Sequence, residues 1–346
     1  MAIDIFSPAV LNRVVQDLKD TAPSLFLLDT FFRETSVSNQ EEIFFDVLTG
    51  KPRLAPFVSP LVEGQIVHHQ GYSTKSFKPA YVKDKRVYED GRPVRRAPGE
   101  PIGAAIDAMA RRQRLLAQDT VDQVNMINRR LEWMASEILR TGAVTVVGEK
   151  YPSTVVDFGR DPSLTVTLSG TDLWNDAGSD PLGDLEDFSG LIREKSGANA
   201  VDVVMAENVW KALRGKQAVK DLLDKGRGLD MRTQLNLGPD ATRNGATFKG
   251  TVGDFNLWVY TETYTADDGT TKKFVPDNYL LMASPDGVEG VRHFGAIKDE
   301  EAGFQALDYF QKSWTTPDPG VRYLLMQSAP LVVPYRVNAT LSAKVL

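Results

Sequence analysis

Three histidines are the first residues to weigh as metal ligands, because imidazole is a common nitrogen donor and the chain has no cysteine to share the work. His68 and His69 are adjacent, His293 stands alone, and none has a second histidine or a carboxylate at ligand spacing. On a strand, neighbours such as His68 and His69 point to opposite faces and do not converge on one ion. Solvated or interface histidines are therefore expected, with no metal and no cofactor. The densest carboxylates are Asp172, Asp176, Asp180, Asp184, Glu186 and Asp187. Oxygen ligands suit calcium or magnesium, but this spacing is not that of an EF-hand loop, and negative charge at a helix start is favoured by the helix dipole. A structural role is expected for them. No P-loop, no G-x-G-x-x-G after a strand and no G-x-S-x-G occurs, and no carboxylate pair stands out as a general acid and base. These absences point away from an enzyme.

The charge pattern is more informative. The whole chain carries a formal −6, yet Lys51 to Ala97 holds ten Lys or Arg against four Asp or Glu, leaving a strongly acidic remainder. Lys75, Lys78, Lys83, Lys85, Arg86, Arg95 and Arg96 make up most of that basic segment. With Tyr81 and Tyr88 interleaved, it could track a nucleic-acid backbone. The alternative is contact with the acidic body of another copy of the same chain, and this is favoured because the opposite charge is already present there. Such contacts place these seven residues between subunits.

The elements that must carry these residues follow from periodicity. The 346 residues, 42% hydrophobic and 25% charged, suit a soluble globular protein of two lobes, or one core with large excursions. Met1 to Phe6 lacks a basic n-region followed by an apolar core, and no run approaches the ~18 apolar residues of a membrane span. A soluble protein made in the cytoplasm is expected. Ser7 to Lys19 reads as a short amphipathic helix, with Val10, Val14 and Leu18 on one face. The Leu- and Phe-rich stretch from Leu25 to Glu34 reads as an arm that packs against something else. From Asp46 to Pro101 seven prolines rule out long helices, and Gln65 to His69 with Lys78 to Lys85 read as strands flanking a turn at Gly71 to Ser76.

Ala104 to Thr141 contains neither Pro nor Gly, and Gly142 stands where a C-cap glycine belongs. One helix of roughly 55 Å is expected. Val124, Ile127, Leu131, Met134 and Ile138 form its apolar stripe, while Arg129, Arg130, Glu132, Glu137 and Arg140 take other faces. Gln113 and Thr120 break a heptad, so a spine shared by several sheets fits better than a coiled coil. Beyond it strands and helices alternate: strands near Thr154 to Phe158, Leu164 to Leu168, Ala200 to Met205, Phe255 to Tyr260, Asn278 to Ala283 and Leu324 to Gln327, and helices near Leu185 to Lys195, Glu207 to Arg214 and Lys216 to Lys225. The class is α+β, and no internal repeat is visible.

The order of arm, basic hairpin, long helix and mixed lobe resembles the HK97-type capsid fold. Leu25 to Glu34 (LFLLDTFFRE), Pro56 to Gly64 (PFVSPLVEG), Pro79 to Lys85 (PAYVKDK), Phe274 to Asn278 (FVPDN), Lys312 to Trp314 with Asp318 and Pro319, and Gln327 to Leu331 (QSAPL) carry a likeness to the lambda-type major head protein family of tailed phages. Each piece is short; their shared order and spacing make the match.

That resemblance implies an N-arm over residues 1–45, an extended E-loop hairpin over 46–97, a P-domain over 98–171 around the spine helix 104–141, an A-domain over 172–322, and a strand at 323–346 returning to the P-domain. It implies a major capsid protein that self-assembles into hexamers and pentamers, forming an icosahedral shell around double-stranded DNA held without sequence specificity. A separate scaffold protein, a portal and a decoration protein would be partners, with the virion as location and the host cytoplasm as the site of assembly. An encapsulin-like compartment shell is the alternative. Some HK97-type shells join an E-loop lysine to an asparagine of a neighbour; Lys75, Lys78 and Asn338 supply those residue types here, but the lambda-type likeness implies a shell held by contacts instead.

Overall fold

The computed structural model describes residues 7–19, 25–40, 42–48, 72–88, 107–148, 151–220, 242–318 and 320–346. Along the chain these form α1 (Pro8–Lys19), α2 (Phe26–Phe31), β1 (Glu34–Val37), β2 (Ile43–Leu48), β3 (Tyr72–Phe77), β4 (Val82–Tyr88), α3 (Ala108–Thr141), β5 (Ala143–Gly148), β6 (Tyr151–Asp157), β7 (Thr165–Thr167), α4 (Pro181–Ser196), β8 (Asp202–Met205) and α5 (Glu207–Gly215). There follow β9 (Thr242–Arg243), β10 (Ala246–Val252), β11 (Phe255–Tyr260), β12 (Thr263–Thr265), β13 (Thr271–Lys273), β14 (Tyr279–Ala283), β15 (Gly290–Phe294), β16 (Phe310–Thr315), β17 (Arg322–Ser328), β18 (Pro330–Pro334) and β19 (Thr340–Lys344).

A seven-stranded mixed sheet in the order β7-β19-β14-β8-β11-β10-β9 forms the largest layer, beside the three-stranded sheets β1-β15-β18 and β16-β17-β4. Strand β8 lies inside the large sheet with all four residues buried, which is why Val203, Val204 and Met205 form an unbroken apolar run instead of alternating. The pairs β2-β3, β5-β6 and β12-β13 are separate two-stranded sheets.

Helix α3 runs 34 residues, about 50 Å, and packs against α1, α2, β5, β14, β18 and β19. Its expected stripe of Val124, Ile127, Leu131, Met134 and Ile138 is buried and belongs to one continuous core with Phe26, Leu27 and Phe31 of the arm. The helix stops at Gly142, which adopts φ 75. A Cβ there would lie 2.5 Å from that of Arg160, so glycine is required twice, by backbone and by space. The Arg160 guanidinium in turn donates to the carbonyls of Leu139 (2.7 Å) and Arg140 (2.5 Å), a cation set on the negative end of the helix dipole.

Three expectations change. The turn expected at Gly71 to Ser76 is strand over Tyr72–Phe77, and β3 pairs with β2, placing Lys75 opposite Phe45. The expected strand from Lys78 to Lys85 begins later, as β4, and its partner is the distant β17. Alternation fixes the strand period but not the partner, and Pro79 separates the two strands. Glu132, expected on an outer face of the spine, is fully buried. The expected strand at Gln65 to His69, residues 104–106 of the spine and residues 221–225 of the helix expected from Lys216 to Lys225 lie outside the described residues.

Candidate inter-subunit surface

The sheet β16-β17-β4 has one face on the spine helix and one face outward. Along β4 the alternation turns Lys83, Lys85 and Val87 outward and Asp84 and Arg86 inward. Arg86 donates from Nη1 to Asp119 Oδ1 (2.9 Å) and from Nε to Asp84 Oδ2 (3.0 Å), with Asp122 at 3.5 Å. Burial lowers its pKa, but the carboxylates of Asp84 and Asp119 outweigh that and raise it. This basic residue, expected at a subunit boundary, is an internal tie between β4 and α3.

Lys85 is placed differently. Its Nζ lies 4.1 Å from the ring centre of Tyr323 and 5.4 Å from that of Trp314, and those two rings stack at 5.4 Å. Lys312 sits 5.8 Å from the Trp314 ring and Lys83 5.4 Å from the Tyr81 ring. On the outward face Lys83 and Lys85 thus lie on aromatic planes, while Lys312 is also paired with Asp299 of its own subunit. Such a face offers charge to a carboxylate and flat apolar area to a ring.

The remaining predicted contacts scatter. Lys75 donates to the Asp157 carbonyl at 2.6 Å, tying the β2-β3 stem to β6. Lys78 is exposed in the link between β3 and β4, and Arg95 and Arg96 lie outside the described residues. Asn338, the asparagine type that cross-linking would need, accepts from the Asp161 backbone N–H at 2.9 Å.

The group that sequence reasoning missed is Glu132. Its Oε1 accepts from the Leu27 N–H (2.9 Å) and the Tyr260 hydroxyl (2.8 Å), and its Oε2 from the Leu28 N–H (3.0 Å). These N–H groups begin helix α2 and have no partner within it, so the carboxylate fastens the arm to the spine. Burial pushes the Glu132 carboxyl up to about 7, with the three hydrogen bonds pulling the other way and Asp29 adding to the rise. Burial and then Glu132 itself push the Tyr260 hydroxyl upward, so it stays a donor. A polar residue next to Leu131 and Trp133 gave no sign of this, because its partners lie in a distant segment.

Among the described residues no group of three His, Asp or Glu is placed to hold a metal ion, and no helix is long and apolar enough to cross a membrane. His293 is buried, 3.1 Å from the Tyr335 hydroxyl, and burial lowers its pKa; His68 and His69 are outside the described residues. In the acidic cluster, Asp184 accepts from Trp174 Nε1 at 2.7 Å and Asp176 from the Gly178 N–H at 2.9 Å, while Asp180 occupies the N-cap position of α4. Those are local structural roles.

The family described as phage major capsid protein E matches residues 7–345. The chain is 31% identical over 310 residues to the major capsid protein of Enterobacteria phage P21, covering 88% of this chain and 90% of that one. It is 30% identical over 310 residues to the major capsid protein of Escherichia phage lambda, covering 88% and 89%. Among solved structures, the putative capsid protein of a prophage of E. coli CFT073 superposes with a TM-score of 0.76 at 23% identity, over the whole of both chains. The capsid of Ralstonia phage GP4 gives 0.51 at 12% identity, over 93% and 90%. The fold is the HK97-like capsid fold, and by the family match over nearly its full length the chain belongs to the phage major capsid protein E family.

Proposed function

We propose that this major capsid protein builds hexamers and pentamers that close an icosahedral shell around the double-stranded DNA of a tailed phage, and that it does so without catalysis. Self-association in the virion follows from the family; the symmetry, the DNA and the absence of chemistry are our reading. The observation that carries it is the outward face of Lys85, Trp314 and Tyr323, a cationic and aromatic surface on an acidic protein. Assembly takes place in the host cytoplasm with a separate scaffold protein, and a portal and a decoration protein complete the head. DNA lies against the inner wall without sequence-specific contacts.

In this reading residues 1–45 are the N-arm, 98–171 with 323–346 the P-domain, and 172–322 the A-domain. The E-loop over 46–97 is supported by the β2-β3 stem, while β4 is hydrogen-bonded to β17. The test is expression with and without the scaffold, followed by sedimentation and electron microscopy. Closed hollow particles are expected. Subunits that stay monomeric with the scaffold present would overturn the reading, and native particles filled with protein and free of DNA would favour a compartment shell.

A further inference from the structure

The segment between β15 and β16 forms a rigid knob. A bridge from Ala296 to Ala306 closes its base, and the Ile297 N–H donates to the Gln305 carbonyl at 3.0 Å. On its inner side the Asp299 carboxylate accepts from the Glu301 N–H (3.1 Å), Gln327 Nε2 (2.8 Å) and Lys312 Nζ (2.5 Å). Ile297 and Ala302 pack beneath it with Phe310 and Ala329, and Asn39 accepts from the Ala306 N–H at 2.7 Å. On its outer side Lys298, Glu300, Glu301, Phe304 and Gln305 are exposed.

Phe304 is the anomaly. The residue is 61% exposed, and its backbone has φ 55 directly after Gly303 at φ 62. Two consecutive left-handed residues suit Gly or Asn; a bulky side chain there is strained. An exposed aromatic ring adds a hydration cost. Neither penalty is offset by burial of the ring within the subunit, and strain kept in a well-fixed loop marks a functional position. Exposed aromatic anchors on rigid supports are what dominate protein interfaces.

We propose that Phe304 is an inter-subunit anchor, and that the knob docks on the Lys85, Trp314 and Tyr323 face of a second copy. The ring would lie against the paired aromatic planes, and Glu300 and Glu301 would face Lys85 and Lys83. Charge complementarity selects this occupant: the exposed knob carries two glutamates against one lysine, and the receiving face carries ammonium groups. Within one chain the knob is fastened beside this face, by Asp299 to Lys312 and Gln327 and by the Tyr81 hydroxyl to the Ala296 carbonyl, which leaves Lys85, Trp314 and Tyr323 as the part that receives a second copy. The inference rests on the shell-building reading.

The test is Phe304→Gly, which removes the ring and relieves the backbone. The isolated subunit should melt at the wild-type temperature or higher, while the critical concentration for assembly rises at least tenfold. An unchanged critical concentration overturns the proposal. So does a fall in the subunit's melting temperature, which would place the ring in its own subunit's packing. Glu301→Lys and Lys85→Glu should each weaken assembly, and the double variant should recover to within about threefold of wild type; a double variant no better than either single change overturns the assigned face. The wild-type control separates the two readings. If it never assembles both fall, and if it assembles and Phe304→Gly matches it, only the anchor falls.

Discussion

The buried Glu132 carboxyl makes a quantitative prediction about pH. In the unfolded chain it titrates near 4.5, and in the folded protein burial pushes it up to about 7. Between those values the folded protein holds a proton that the unfolded chain has released, so stability falls as pH rises. The contribution is fully present below about 4.5 and is lost as pH climbs through 7. At about 1.4 kcal/mol per pH unit the swing is about 3 kcal/mol, and full burial leaves no solvent screening to discount it. For a chain of this length that corresponds to a melting shift of roughly 4–5 °C. Urea unfolding of unassembled subunits at pH 5 and pH 8, followed by tryptophan fluorescence, gives the slope. Wild type should lose about 2.5 kcal/mol relative to Glu132→Gln between those pH values, the rest of the swing lying below pH 5, because the amide does not titrate. Asp184 and His293, whose pKa values are also displaced by burial, remain in both proteins and cancel. Hydrogen-exchange protection at the Leu27 and Leu28 amides, taken relative to the intrinsic base-catalysed rate, should fall over the same range in wild type only. Parallel pH profiles for the two proteins, or a wild type that gains on the variant as pH rises, would refute the reasoning.

Leu131→Asp should leave the protein insoluble, since it removes about 2 kcal/mol of apolar burial and adds an unpaired charge costing several more in the spine seam; a soluble variant in a centrifugation assay would contradict this. Arg86→Ala should destabilise the subunit by about 2 kcal/mol in urea unfolding by leaving Asp84 and Asp119 without their cation, whereas Lys85→Ala should change it by no more than about 0.5 kcal/mol. Equal effects would show that the two faces of β4 are not distinct. Boiling mature particles in detergent should release a single band near 38.2 kDa, because Lys75 and Asn338 are both engaged within their own subunit. A covalent ladder that disappears in Lys75→Ala or Lys78→Ala would overturn that.

What could be read from the sequence divides along local and distant causes. The spine helix was legible because its stripe and its terminating Gly142 are properties of neighbouring residues. The outward face of β4 was equally so, since alternation alone turns Lys83 and Lys85 to one side. Arg86 looked like the same basic cluster but sits one residue out of phase, and only the position of Asp119 on another element shows its role. Glu132 was misread for the same reason: a charged residue in a helix is expected outside, and the backbone donors that hold it come from an arm folded back over the spine. The strained Phe304 left no sequence signal at all, because a phenylalanine after a glycine does not announce a positive φ.

The way the sheets are closed sets the order in which the molecule can fold. Glu34 pairs with Val291 across the β1-β15 ladder, and Thr165 with Ser342 across β7-β19. Neither ladder can form until widely separated segments meet, and the entropy of closing such long loops must be met before the pairing returns anything. Helix α3 and the β5-β6 and β10-β11 hairpins can form early from near neighbours, whereas β8, β14 and β19 expose Val203, Val204, Leu281 and Leu341 until the large sheet is complete. During that interval unpaired apolar strands face solvent, and productive folding competes with aggregation whenever many copies are synthesised together. A shell needs its subunit in large numbers, so every copy that aggregates before its sheet closes is a copy lost to assembly.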